Sequence, residues 1–97
     1  MRIVISDNIR AKLQAKHGVS PKDVFECLDN RTGKLLLDES EERRDPPTYF
    51  FIAPNNHQRL LKVCFVIRDG TVFLRTCFEP SAAAIELYRE LGEPTDF

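Results

Sequence analysis

Arg59 to Phe78 read RLLKVCFVIR-DG-TVFLRTCF. Two apolar runs rich in β-branched and aromatic residues flank Asp69-Gly70, a dipeptide suited to a two-residue turn between antiparallel strands. On that turn Arg68 is expected opposite Thr71, Val66 opposite Phe73, Cys64 opposite Arg75 and Lys62 opposite Cys77. Strand alternation then sends Leu61, Val63, Phe65, Ile67, Val72, Leu74, Thr76 and Phe78 to a core face. Lys62, Cys64, Val66, Arg68, Thr71, Phe73, Arg75 and Cys77 take the other face. There Cys64 and Cys77 become diagonal neighbours with Cα atoms ~7–8 Å apart. That is beyond disulfide reach, so both read as reduced thiols.

Upstream, Leu35–Leu37 and Thr48–Ala53 read as two further strands. Asn55-Asn56 tolerates the backbone of a tight turn, and a register built on it pairs Phe50 with Leu61 and Tyr49 with Lys62. Tyr49, Lys62 and Arg75 then share one face on three adjacent strands. This face reads either as an ordinary solvated sheet surface or as a phosphate-binding, catalytic floor.

The flanks are helical. Met1–Ser6 suits a short strand, and Asp7–His17 carries Ile9, Leu13 and His17 on one stripe, with Ser6 or Asp7 as cap and Gly18 as stop. Ser20, Pro21 and Asp23 form a capping-box start for a second helix, stapled by Val19 and Val24, with Val24, Phe25 and Leu28 facing inward. Pro80 opens a last helix that places Ala84, Ile85, Tyr88 and Leu91 on one face, ending at Gly92. The order β-α-α-β-β-β-β-α predicts one α+β domain over residues 1–97. Its sheet is expected to be antiparallel, with the two N-terminal helices on one face. The expected core is Val24, Phe25, Leu28, Leu61, Val63, Phe65, Leu74 and Ile85.

Composition narrows the function. The 97 residues carry a net charge of −1, and the segment Asp38–Asp45 (DESEERRD) holds five acids against two arginines. The remainder is mildly basic, and the acidic stretch reads as a solvated loop. No apolar run suits a membrane span, and no signal-peptide core follows Met1. Three cysteines without a CxxC pair point to a reducing cytoplasm. Four glycines lack the spacing of a phosphate-cradling loop. His17 and His57 are far apart and no ligand spacing appears, so neither metal nor cofactor is expected. His17 itself reads as a structural histidine on a buried stripe.

Lys16-His17-Gly18-Val19-Ser20 after an amphipathic helix resembles the corresponding segment of BrnT-like toxins, which have a RelE/ParE-type fold. Phe25, Asp38, Glu42-Arg43, the Arg59–Val63 strand, Arg75 and Tyr88 follow in matching order. Thr76-Cys77-Phe78-Glu79 depart from the Ser and Arg usual after the penultimate-strand arginine. The resemblance implies a RelE-like antiparallel fold, metal-independent RNA cleavage and a partner antitoxin. On that reading Lys62 and Arg75 hold the phosphate, and Tyr49 or Tyr88 transfers the proton. Arg43 and Arg68 bind substrate. Two other classes stay open. One is a non-catalytic protein-binding module, favoured by the near-neutral charge. The other is a small hydrolase using the Asp38–Glu42 carboxylates. An ADP-ribosyl-hydrolase label properly belongs to longer, all-helical, metal-dependent enzymes.

Overall fold

A computed structural model describes residues 2–39 and 46–97. Its elements are β1 (Ile3–Val4), α1 (Asp7–His17), α2 (Pro21–Asn30), β2 (Leu36–Leu37), β3 (Tyr49–Pro54), β4 (Leu60–Arg68), β5 (Thr71–Phe78) and α3 (Ala82–Gly92). The strands form one sheet in the order β1-β5-β4-β3-β2. From β2 to β5 every neighbouring pair is antiparallel, and the short β3–β4 and β4–β5 links require it of their strands. β1 departs from the expected antiparallel sheet. It pairs with β5 in parallel, Ile3 opposite Val72. Both N-terminal helices and three strands separate β1 from β5, so no hairpin dictates its direction.

The helix signals act as read. Ser6 caps α1 through its hydroxyl, which accepts from the Ile9 N–H. At the start of α2, the Ser20 hydroxyl accepts from the Asp23 N–H while the Asp23 carboxylate accepts from the Ser20 N–H. Burial raises the Asp23 pKa, but bonds from Ser20, the Asn55 amide and the charge of Arg59 outweigh it and hold the carboxyl below its usual range. The contribution of this group is therefore complete above the ordinary carboxylate range and lost as acid titrates the folded-state carboxylate. Ser20→Ala should cost about 1 kcal/mol in urea unfolding, because it removes one half of the box.

Two registers depart from expectation, and each moves candidate residues. In the β4–β5 hairpin, pairing runs as predicted from Arg68–Thr71 to Phe65–Leu74, then slips. Cys64 faces Thr76 and Lys62 faces Phe78, leaving Arg75 as the extra residue of a bulge. Cys77 is thereby turned onto the core face opposite Val63, where both are fully buried. Burial raises the thiol pKa of Cys27 to about 12 and pushes Cys77 well up as well. Both are packing groups rather than nucleophiles.

Between β3 and β4 the strands stop at Pro54 and Leu60, so the link is longer than a two-residue turn. Asn55, only 3% exposed, organises it. Its side-chain oxygen accepts from the His57 and Arg59 N–H groups, and its amide donates to Asp23. Gln58 adopts a left-handed φ of 64°. Phe50 consequently faces Cys64 instead of Leu61, and Tyr49 faces Phe65 instead of Lys62. An offset of an odd number of residues exchanges the faces.

Phe51 and Phe65 point to the α2 side of the sheet, where Arg31 at the end of α2 lies over the Phe51 ring. Phe50 points the other way, against Tyr88 of α3. Val24, Leu61, Val63, Phe65 and Leu74 are core residues as expected, while Leu28 and Ile85 are partly buried. Phe25 is not. It is 46% exposed, because Val24 and Cys27 take the inward face of α2.

Candidate active-site cleft

The C-terminal turn of α1 meets the far end of β5, and Arg59 fixes the junction. Gly18 ends the helix at a left-handed φ of 60°. The exposed helix carbonyls then find a cation. The Arg59 guanidinium donates to the His17 carbonyl at 2.8 Å, to the Gly18 carbonyl at 3.1 Å and to the Glu79 carboxylate at 2.6 Å. One side chain thereby ties α1, the β3–β4 loop and the end of β5 together.

Two hollows open beside this clamp and share Lys16 and His17 in their walls. The wider, about 290 Å³, is completed by Arg59, Phe78 and Glu79. The narrower, about 120 Å³, is bordered by Lys12, Arg75 and Thr76. Lys12 and Lys16 lie one helical turn apart on α1, and Arg75 reaches the cleft because the bulge extrudes it from the β5 ladder. Lys12, Lys16 and Arg75 form no salt bridge among the described residues. Unpaired cations gathered around one hollow repel one another unless an anion sits between them. The His17 imidazole is half-buried and tilted against the Phe78 ring at 5.7 Å. The chemistry available is anion binding, proton transfer by an imidazole and an aromatic surface for stacking. A hollow beside Asn55 has about 390 Å³ but is walled by amides, Pro54 and Asp96, without a cation.

Among the described residues expected to form the site, Arg75 alone lines this cleft. Lys62 lies on the Phe50 face, its ammonium 4.4 Å above that ring. Tyr49 is on the opposite face, stacked on Phe65 at 6.0 Å. The expected floor of Tyr49, Lys62 and Arg75 therefore does not form, and Cys64 and Val66 on the supposed wet face are buried. Arg68 stands at the hairpin tip over the Phe73 ring. Tyr88 is fully buried, and its hydroxyl donates to the Lys34 carbonyl at 2.7 Å, a bracing position away from the cleft walls. Arg43, with Glu41 and Glu42, lies outside the described residues.

Lys12, Lys16, His17 and Arg59 were not among the expected site residues. A signal for two of them exists in the sequence. Within Lys16-His17-Gly18-Val19-Ser20, the last three residues are accounted for as helix stop, staple and cap. Lys16 and His17 suit the carbonyl end of α1 as basic residues, and both also border the cleft.

No helix among the described residues is long and apolar enough to cross a membrane. No protein-family profile matches this sequence, and no curated protein matches it. Among solved structures, the Brucella abortus ribonuclease toxin BrnT is similar, with a TM-score of 0.61 and 18% identity. The match covers 84% of this chain and 97% of that one. The chain thus has a BrnT-like fold.

Proposed function

We propose that the protein is a toxin-like endoribonuclease that works without a metal ion and is held in check by an antitoxin protein. The observation that carries this reading is the cleft in which Lys12, Lys16 and Arg75 surround His17, on the fold of a ribonuclease toxin. RNA supplies its own nucleophile. The 2′-oxygen attacks phosphorus, the bond to the 5′-oxygen breaks, and a 2′,3′-cyclic phosphate forms. His17 accepts the 2′-hydroxyl proton, and the 5′-oxygen leaves with a proton from solvent. Charge accumulates on the non-bridging oxygens, where Lys12, Lys16 and Arg75 oppose it. In this account Tyr49, Lys62 and Tyr88 give up the roles first assigned to them. Arg75 keeps its role, at a different place in the fold.

Induced expression in a bacterial host tests the reading. Growth arrest with loss of intact RNA is expected, and co-expression of the neighbouring reading frame should restore growth if it encodes the antitoxin. Arg75→Ala should lower RNA cleavage more than tenfold, a loss of at least ~1.4 kcal/mol of transition-state stabilisation. Its stability should change by no more than about 0.5 kcal/mol, since the side chain is exposed. Full growth with abundant folded wild-type protein would move the fold to the class of non-catalytic binding modules.

A further inference from the structure

The wider lobe of the cleft contains a residue that phosphate binding does not explain. Among the described residues, Glu79 is the one acid lining either lobe, and a carboxylate there opposes the attraction that the cations exert on RNA. It is not the sole partner of Arg59, because that guanidinium also donates to two carbonyls at the end of α1. Its side chain remains 64% exposed at the cavity wall, with Oε1 anchored at 2.6 Å by the Arg59 Nε–H. Phe78, the preceding residue, supplies an aromatic surface in the same wall.

We infer that this lobe is a guanine-binding subsite in which Glu79 determines base specificity. The inference rests on the ribonuclease reading for its placement beside the scissile phosphate. A carboxylate accepts only, and its two oxygens offer about four lone-pair positions, so Arg59 leaves capacity for two further donors. Guanine alone presents two adjacent donors on one edge, N1–H and the N2 amino group. Adenine and cytosine each set an amino donor beside a ring-nitrogen acceptor, which a carboxylate repels. Uracil flanks its single N–H with two carbonyls. Charge-assisted bonds to a fixed carboxylate discriminate strongly, because the wrong edge leaves that group facing an acceptor. Phe78 provides a stacking surface for the base, which every base can use and which therefore adds affinity without choice. A cavity of about 290 Å³ lies at the small end of ligand sites, a size that suits one base. With the base in this lobe, Lys16 and His17 stand at the boundary with the narrower lobe, where Lys12 and Arg75 take the phosphate.

The test is equilibrium binding of the four nucleoside 3′-monophosphates, and of inosine 3′-monophosphate, to the full chain by titration calorimetry. Wild-type protein should bind the guanosine nucleotide at least tenfold tighter than the other three standard nucleotides. Inosine, which lacks the N2 amino group, should lose several-fold of that gain. Glu79→Gln should abolish both differences. A merely structural Glu79 would shift the melting temperature of the variant and leave the ratio of guanosine to adenosine affinity unchanged. Equal wild-type affinities, no binding of any nucleotide, or a preference that survives Glu79→Gln would each overturn the inference. Guanosine preference without RNA cleavage would overturn the ribonuclease reading alone. Cleavage at all four bases with equal rates would overturn the guanine subsite alone.

Discussion

His17→Ala should reduce RNA cleavage by roughly a hundredfold or more, the usual worth of a positioned general base. The fold should tolerate the change. What holds the end of α1 is the His17 carbonyl, which accepts from Arg59, and the main chain keeps that carbonyl in the variant. The lost side chain is a half-buried ring whose contact is the tilted Phe78. A cost of about 1 kcal/mol is therefore expected, within the ordinary range for single substitutions. His17→Gln keeps much of the volume and hydrogen-bonding capacity but cannot take a proton, so it should be as inactive as the alanine variant. Cleavage within twofold of wild type in either variant would remove His17 from the chemistry.

Tyr88→Ala should cost ~3–5 kcal/mol in urea unfolding, among the largest effects of any single change in this chain. The ring is fully buried, stacked on Phe97 at 6.2 Å and tilted against Phe50 at the same distance. Its space exists because residues 33 and 92 are glycines. A Cβ on Gly92 would lie 2.6 Å from the ring, and one on Gly33 would meet the hydroxyl. Through the bond from its hydroxyl to Lys34, and the bond from the Lys34 N–H to the Gly92 carbonyl at 2.8 Å, α3 is fastened to the segment between α2 and β2. Burial also raises the phenol pKa, further from any use as a base near neutrality. Tyr88→Phe separates the two roles. A bracing tyrosine loses about 1 kcal/mol for one hydrogen bond and keeps its activity. Loss of cleavage in a stable Tyr88→Phe protein would restore the catalytic assignment.

What the sequence made legible was local. Asp69-Gly70 specifies its turn through its own backbone preferences, and pairing is as read for the first four positions on each side. Ser20 and Asp23 form the capping box because both partners lie within one helical turn. The errors arose where a distant element decides. Whether β5 bulges at Arg75 depends on placing Cys77 in the core, a matter of tertiary packing that no periodicity within β5 displays. The β3–β4 link is longer than Asn55-Asn56 suggest because Asn55 turns its side chain to the loop backbone and to Asp23 of α2. Each departure moved side chains between faces, which dissolved the expected Tyr49–Lys62–Arg75 floor. The reading of His17 as a structural histidine missed its place at the cleft wall for a related reason. A helical stripe shows which side a residue faces, but not that the last turn extends to the end of the sheet. There a stripe residue borders a cleft. Arg75, a candidate from the sequence, does line the cleft, though the bulge that brings it to α1 could not be read from β5.

A working ribonuclease cleft built around His17 must cleave RNA without a metal ion. Its most direct test is the cleavage rate of an end-labelled RNA by folded, purified wild-type protein in the presence of excess EDTA. The account predicts cleavage that leaves 2′,3′-cyclic phosphate ends and spares DNA of the same sequence, which lacks the 2′-hydroxyl. RNA that stays intact under those conditions would contradict it.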